Sequence, residues 1–295
     1  MFHHSIRGRK SPGSGYILCN KYNAMTFKRI IFAILSAVIC VNAWAFGRIG
    51  HDAVAAIAEA NLTPEAKSTI EKYLDGKSIV YYASWMDNVR LQPAYHHTDG
   101  WHSASFDANC KSKVWKERYR SNLGINTEMA KVENGKYKQM TDSAVAVSIK
   151  VLVHLIGDMH CPGHNFFEDK SQNVNFYLDD NEKFRFHKFF DGGVFEKGHK
   201  WYYSDYVYHL DRCSDEEKAE IVEGSLIEWE EANARIMRPL YDIITPERKF
   251  DKAETLDFLQ DMIQLTDNQL LKAGYRLAHV LNSVFDPSYS PKWER

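Results

Sequence analysis

Apolar residues recur at helical spacing along this chain, and polar or breaking residues mark where several of the runs start and stop. Leu259, Ile263, Leu270, Leu277 and Leu281 form one stripe. It predicts helix over 256–285, with a break near Thr266. Ala144, Val147, Val151 and Leu155 form a second, with Thr141 as its N-cap and Cys161-Pro162-Gly163 at its end. Thr63-Pro64 pairs a cap with proline at the first helical position, for a helix to about Leu74 that stops at Gly76. Ala53 to Ala60 favours helix, and Ile79 to Val89 continues the pattern. Ser214 and Glu217 form a capping box ahead of a helix reaching about Met237. Stretches 92–112 and 165–186, rich in Asn, Asp, Gly and aromatic residues, are expected to be loops. Residues 184–191 are short and ambiguous between strand and helix; a metal-binding role prefers helix. With no repeat or interdomain linker, the expectation is one all-α domain over 46–295.

The first 45 residues read differently. Lys28 and Arg29 precede an apolar run from Ile30 to Val41, followed by Ala43-Trp44-Ala45. That is the layout of a signal peptide, and the run is short for a bilayer span. Met25 stands where such a peptide starts, leaving 1–24 as an upstream extension. Cys40 follows the bulky Ile39, against a lipoprotein cut. Cleavage after Ala45 makes Phe46 the mature N-terminus and exports the protein, to the periplasm or the medium, with no membrane anchor.

Composition narrows the chemistry. The chain has 295 residues, 44% of them hydrophobic, enough for a substantial core. Its 37 basic and 39 acidic residues give a net charge of -2. A nucleic-acid binder that works by neutralising phosphates is usually basic; if this chain handles phosphates, bound metal cations must supply much of the positive charge. After the cut three cysteines remain, Cys110, Cys161 and Cys213. A Cys110–Cys213 bridge is possible. Cys161 could be a zinc ligand, although a small buried side chain is the simpler reading.

The candidate chemistry lies in HLIGDMHCPGH and HKFFD. Each places a histidine four residues before an aspartate, His154 with Asp158 and His187 with Asp191, and His164 follows the first pair. On a helix such pairs share one face. Imidazole and carboxylate are the donors of open, catalytic zinc sites. His160 falls off the shared face and is read as structural. His51, Asp87, Arg90 and His102 are further candidates, each with a plain alternative: Asp87 and Arg90 as an i,i+3 surface pair, His102 as a hydrogen-bonded loop residue.

In order, Phe46-x4-His51, Ala83-Ser84-Trp85-x-Asp87-x2-Arg90, Trp101-His102, His154-x3-Asp158-x-His160-x-Pro162-x-His164 and His187-x3-Asp191 resemble the S1/P1-type nucleases. The resemblance implies an all-α fold with three zinc ions in a cleft. Asp87, His102, His154 and Asp158 would hold one. His164, His187 and Asp191 would hold the second. His51, Asp158 and the amino nitrogen and carbonyl oxygen of Phe46 would hold the third. It further implies hydroxide generated at the clustered zinc, attack on phosphorus in single-stranded nucleic acid or a nucleotide, stabilisation of the leaving 3′-oxygen by the second zinc, and Arg90 on the phosphate. No stable protein partner is implied. Departures are Phe46 for the family's tryptophan, Ser103 for an aromatic residue, Ser105 for an aspartate that assists water, with Asp107 as its substitute, Cys161-Pro162-Gly163 for Gln-Pro-Leu, and Phe190 for tryptophan. Alternatives are a trizinc phospholipase C, which tends to carry glutamate at the position of Asp191, and an inactive zinc-binding protein.

Overall fold

The computed structural model describes residues 46–113 and 121–290. The signal segment, the alternative start at Met25 and Cys40 lie outside the described residues. The scaffold is carried by helices α1 (Gly47–Ala60), α2 (Pro64–Tyr73), α3 (Trp85–Val89), α4 (Ser121–Val132), α5 (Asp142–His160), α6 (Tyr203–Leu210), α7 (Asp215–Val222), α8 (Leu226–Met237) and α9 (Lys252–Phe285). The fold is all-α in character, with a few strands of two to four residues.

Helix α5 is the core element. From Val151 to His160 every residue is buried. By composition α5 could cross a membrane, but 78% of its apolar window is buried within the fold, so it is the core helix of this domain. It packs on α4 and α9, and α9 packs in turn on α1. Gly274 permits that last approach, since a Cβ there would stand 2.4 Å from Ile57 Cγ2. Thr141 accepts from the Ala144 N–H at 3.3 Å, and Thr63 from the Ala66 N–H at 3.2 Å, so both expected caps are formed.

Two short sheets occupy stretches expected to be loops. Strands β1 (Ala104–Phe106) and β2 (Asn165–Phe167) pair in parallel, with Ala104 opposite Asn165. Strand β3 (Asn175–Leu178) lies between β4 (Glu182–Arg185), antiparallel, and β5 (Arg248–Lys249), parallel. Residues 93–102 form a 3-10 helix. The expected 214–237 helix is two helices, broken at Gly224 (φ 94°), after which Ser225 and Glu228 form a second capping box. Ile79–Val89 is likewise split into a 3-10 turn, Ile79–Tyr82, and α3. By contrast α9 runs unbroken through buried Thr266. A single β-branched residue costs a helix well under ~1 kcal/mol, too little to interrupt a continuous apolar stripe. Cys110, Cys161 and Cys213 are all free thiols, so the Cys110–Cys213 bridge is not made.

Candidate metal centre

One turn of α5 sets out the centre. His154 and Asp158 are both fully buried and face the same side, with His154 Nε2 3.2 Å from Asp158 Oδ2. Helix α1 begins at Gly47, earlier than its apolar pattern indicates, and so carries His51. The His51 ring stacks on His154 at 4.0 Å and places Nε2 3.2 Å from Asp158 Oδ1. The 3-10 helix ends on His102, whose Nδ1 is 2.9 Å from Asp158 Oδ2. Helix α3 supplies Asp87, with Oδ1 3.7 Å from His154 Nε2 and 3.8 Å from His102 Nδ1.

The second group forms around Asp191. The parallel pairing of β1 with β2 brings the residues just before each strand together, and His164 Nδ1 donates to the His102 carbonyl. His164 Nε2 is then left 3.6 Å from Asp191 Oδ1. After β4 the chain enters a short helix, Phe186–Lys188, and a π-turn, Phe189–Gly193. Its i,i+4 geometry puts His187 Nε2 3.3 Å from Asp191 Oδ2. Ambiguous from sequence, this segment is strand to Arg185 and helical thereafter. Cys161 Sγ lies 3.7 Å from Asp191 Oδ1. Asp158 joins the groups, its Oδ1 being 3.6 Å from His164 Nδ1.

These separations suit a cation. Tetrahedral donors at about 2.0–2.3 Å from zinc stand roughly 3.3–3.8 Å apart. Nine of the twelve buried side-chain polar atoms without a hydrogen-bond partner among the described residues belong to His51, Asp87, His102, Asp158, His164, His187 and Asp191. Natural proteins rarely leave buried polar atoms unsatisfied. His154 Nδ1 donates to the Ala83 carbonyl at 2.9 Å, which directs Nε2 inward as the free donor. Among the described residues three sets could each hold an ion: His51, His154 and Asp158; Asp87, His102 and His154, which shares His154 with the first; and Cys161, His164 and Asp191.

The electrostatics ask for positive charge. Burial works against charging His154 and His164, yet their carboxylate neighbours outweigh it and raise both to about 9. Asp158 is pulled well below the carboxylate range: burial opposes ionisation, and the surrounding imidazoles overcome it. His51 is lowered by burial and then by His154.

The other sequence candidates fall into place unevenly. Phe46, fully buried, caps α1 with a left-handed φ of 41° and packs its ring on Phe195 at 6.0 Å. Arg90 ends α3 close enough for its charge to act on His187, which is lowered first by burial. Among the described residues no contact brings Asp107 to the cluster: its Oδ1 accepts from the N–H groups of Asn109 and Lys111, at 2.8 and 2.9 Å, within its own turn. Ser105 donates to the Lys113 carbonyl. His160 points away, donating from Nδ1 to Ile156 O and accepting from Arg276, both at 2.8 Å.

Two glycines shape the centre, Gly163 and one that the sequence reading does not single out, Gly157. A Cβ on Gly157 would stand 2.9 Å from His51 Nδ1, and one on Gly163 2.8 Å from His187 Cδ2. Gly157→Ala is therefore expected to displace His51 and cut metal-dependent activity at least ~10-fold. Its metal-free melting temperature should fall only modestly, because up to ~1 kcal/mol of gained helix propensity offsets part of the cost of moving His51. Equal loss of melting temperature in the metal-free form would point to general misfolding instead.

The S1/P1 nuclease family model matches residues 46–286 of this sequence. The chain belongs to that family. Nuclease P1 of Penicillium citrinum is 28% identical over 127 residues, covering 41% of this chain and 47% of that protein. Nuclease PA3 of Penicillium sp matches with the same identity and coverage. The chain thus spans about half the length of the curated relatives it matches.

Proposed function

We propose that this chain is an exported, zinc-dependent phosphodiesterase. It cuts single-stranded DNA or RNA, and 3′-nucleotides, leaving 5′-phosphate products. Asp87, His102, His154 and Asp158 hold one zinc; His164, His187 and Asp191 hold a second; His51, Asp158 and main-chain atoms of Phe46 hold a third. Zinc held there supplies Lewis acidity and a water acidic enough to react near neutral pH. Arg90 binds non-bridging phosphate oxygens, where a planar guanidinium matches the charge that builds up on them. The observation that carries this reading is Asp158: a buried carboxylate with His51 and His164 before one oxygen and His102 and His154 before the other.

Metal analysis of the purified protein, followed by a panel of single-stranded DNA, RNA, 3′-nucleotides and a phosphatidylcholine analogue, tests it. Single-strand cleavage with 5′-phosphate ends is the expected result. Turnover of the lipid alone would make this a phospholipase C. Stoichiometric zinc with no hydrolysis at any pH would make it a zinc-binding protein.

Export and catalysis are linked in this reading, because Phe46 offers a free amine only after cleavage behind Ala45. One glycine added ahead of Phe46 in the processed protein is expected to lower activity at least ~10-fold and to lose one zinc per chain. Full activity in the extended protein would refute ligation by the amino terminus.

A further inference from the structure

We infer that Cys161 is a fourth protein ligand of the ion held by His164, His187 and Asp191, bound through its thiolate. The inference rests on the metal-centre reading above. Cys161 directly follows α5 and is fully buried. Its sulfur, a His164 nitrogen and an Asp191 oxygen all lie within 4.8 Å of one another. The sulfur-to-Oδ1 separation of 3.7 Å is close to the roughly 3.5 Å expected when sulfur and oxygen bind one tetrahedral zinc.

Two buried atoms point to a ligand between these groups. His164 Nε2 and Asp191 Oδ2 have no hydrogen-bond partner among the described residues, although their residues are only 3% and 5% exposed. Gly163 contributes as well, since a Cβ there would crowd the His187 ring and lie 3.4 Å from Asp191 Oδ1. Thus the two residues that depart from the family's Gln-Pro-Leu are both built into this group. On ligation the S–H bond breaks, sulfur keeps the electron pair that binds the ion, and the proton leaves to solvent. The competing role for Cys161 is an S–H group that only orients Asp191, and it leaves the sulfur protonated.

Cobalt(II) separates these roles, because a thiolate bound to it gives a ligand-to-metal charge-transfer band in the near ultraviolet and a thiol does not. The full protein, stripped with chelator and reloaded with cobalt, is expected to show that band. So is the processed protein carrying Cys110→Ser and Cys213→Ser, which leaves Cys161 as its sole thiol. Cys161→Ser should lose the band while still binding cobalt at the Asp158 positions. Full cobalt uptake without the band, or a band that survives Cys161→Ser, overturns the inference and leaves the metal centre standing. A chain that takes up no cobalt overturns both.

Discussion

Asp158→Ala is expected to lower hydrolysis of single-stranded DNA by at least ~10³-fold, about 4 kcal/mol on the barrier, and to reduce bound zinc from three ions per chain to one. The reason is geometric. Its two oxygens meet four imidazoles, at 2.9 to 3.6 Å, drawn from α1, the 3-10 helix, α5 and the turn before β2. Among the described residues no other carboxylate in the cluster touches both groups: Asp87 reaches His102 and His154, and Asp191 reaches His164, His187 and Cys161. Asp158→Asn separates charge from shape. It keeps the volume and can still hydrogen-bond the rings, yet it removes the charge that two ions would share, so it should fail nearly as badly. Zinc analysis beside a single-turnover assay decides the matter. Near-normal turnover in Asp158→Ala would refute the shared-ligand assignment, and loss of activity with three zinc ions retained would move Asp158 from ligand to some later role.

What the sequence disclosed and what it hid divide along a physical line. Residues whose relation is set by local geometry were legible: Thr63 and Thr141 as caps, and His154 with Asp158 one turn apart. The grouping of His102 with His164 comes from strand pairing between residues 104–106 and 165–167, three residues a side. Segments that short carry almost no periodic signal, and both were expected to be loops. The break at Gly224 was readable in principle, because Ser225 and Glu228 repeat the capping box seen at Ser214 and Glu217. The apolar pattern outweighed it. Asp107 is near Ser105 in sequence, but it follows the strand Ala104–Phe106 into a turn of its own. Cys161 was weighed as a buried side chain, and it is one. That it also faces Asp191 depends on the π-turn at Phe189–Gly193, which no sequence spacing announces.

Removing metal should cost this protein much of its stability. A ligand present at a thousand times its Kd stabilises the folded chain by about 4 kcal/mol. For a domain of this size that is roughly 8–16 °C in Tm. The loss should also depend on pH, in a direction set by the cluster. His154 and His164 are raised to about 9 by their carboxylate neighbours against the effect of burial. In the chelated chain their ion pairs are therefore intact below about pH 6.5 and are lost as pH climbs through about 9. His51 and His187, lowered by burial, act in the opposite sense, their contribution being present above about pH 6.5 and lost in acid. The chelated chain should thus melt progressively earlier from pH 7 to pH 9, as Asp158 is left buried beside neutral rings. In the loaded chain cations take over from those protons, and Tm should stay level across the same interval. Melting curves of chelated and zinc-loaded protein at pH 7, 8 and 9 test both parts. Identical curves would mean that the cluster is held together without metal, and a gap that narrows toward pH 9 would mean that protons and cations do not compete for the same rings.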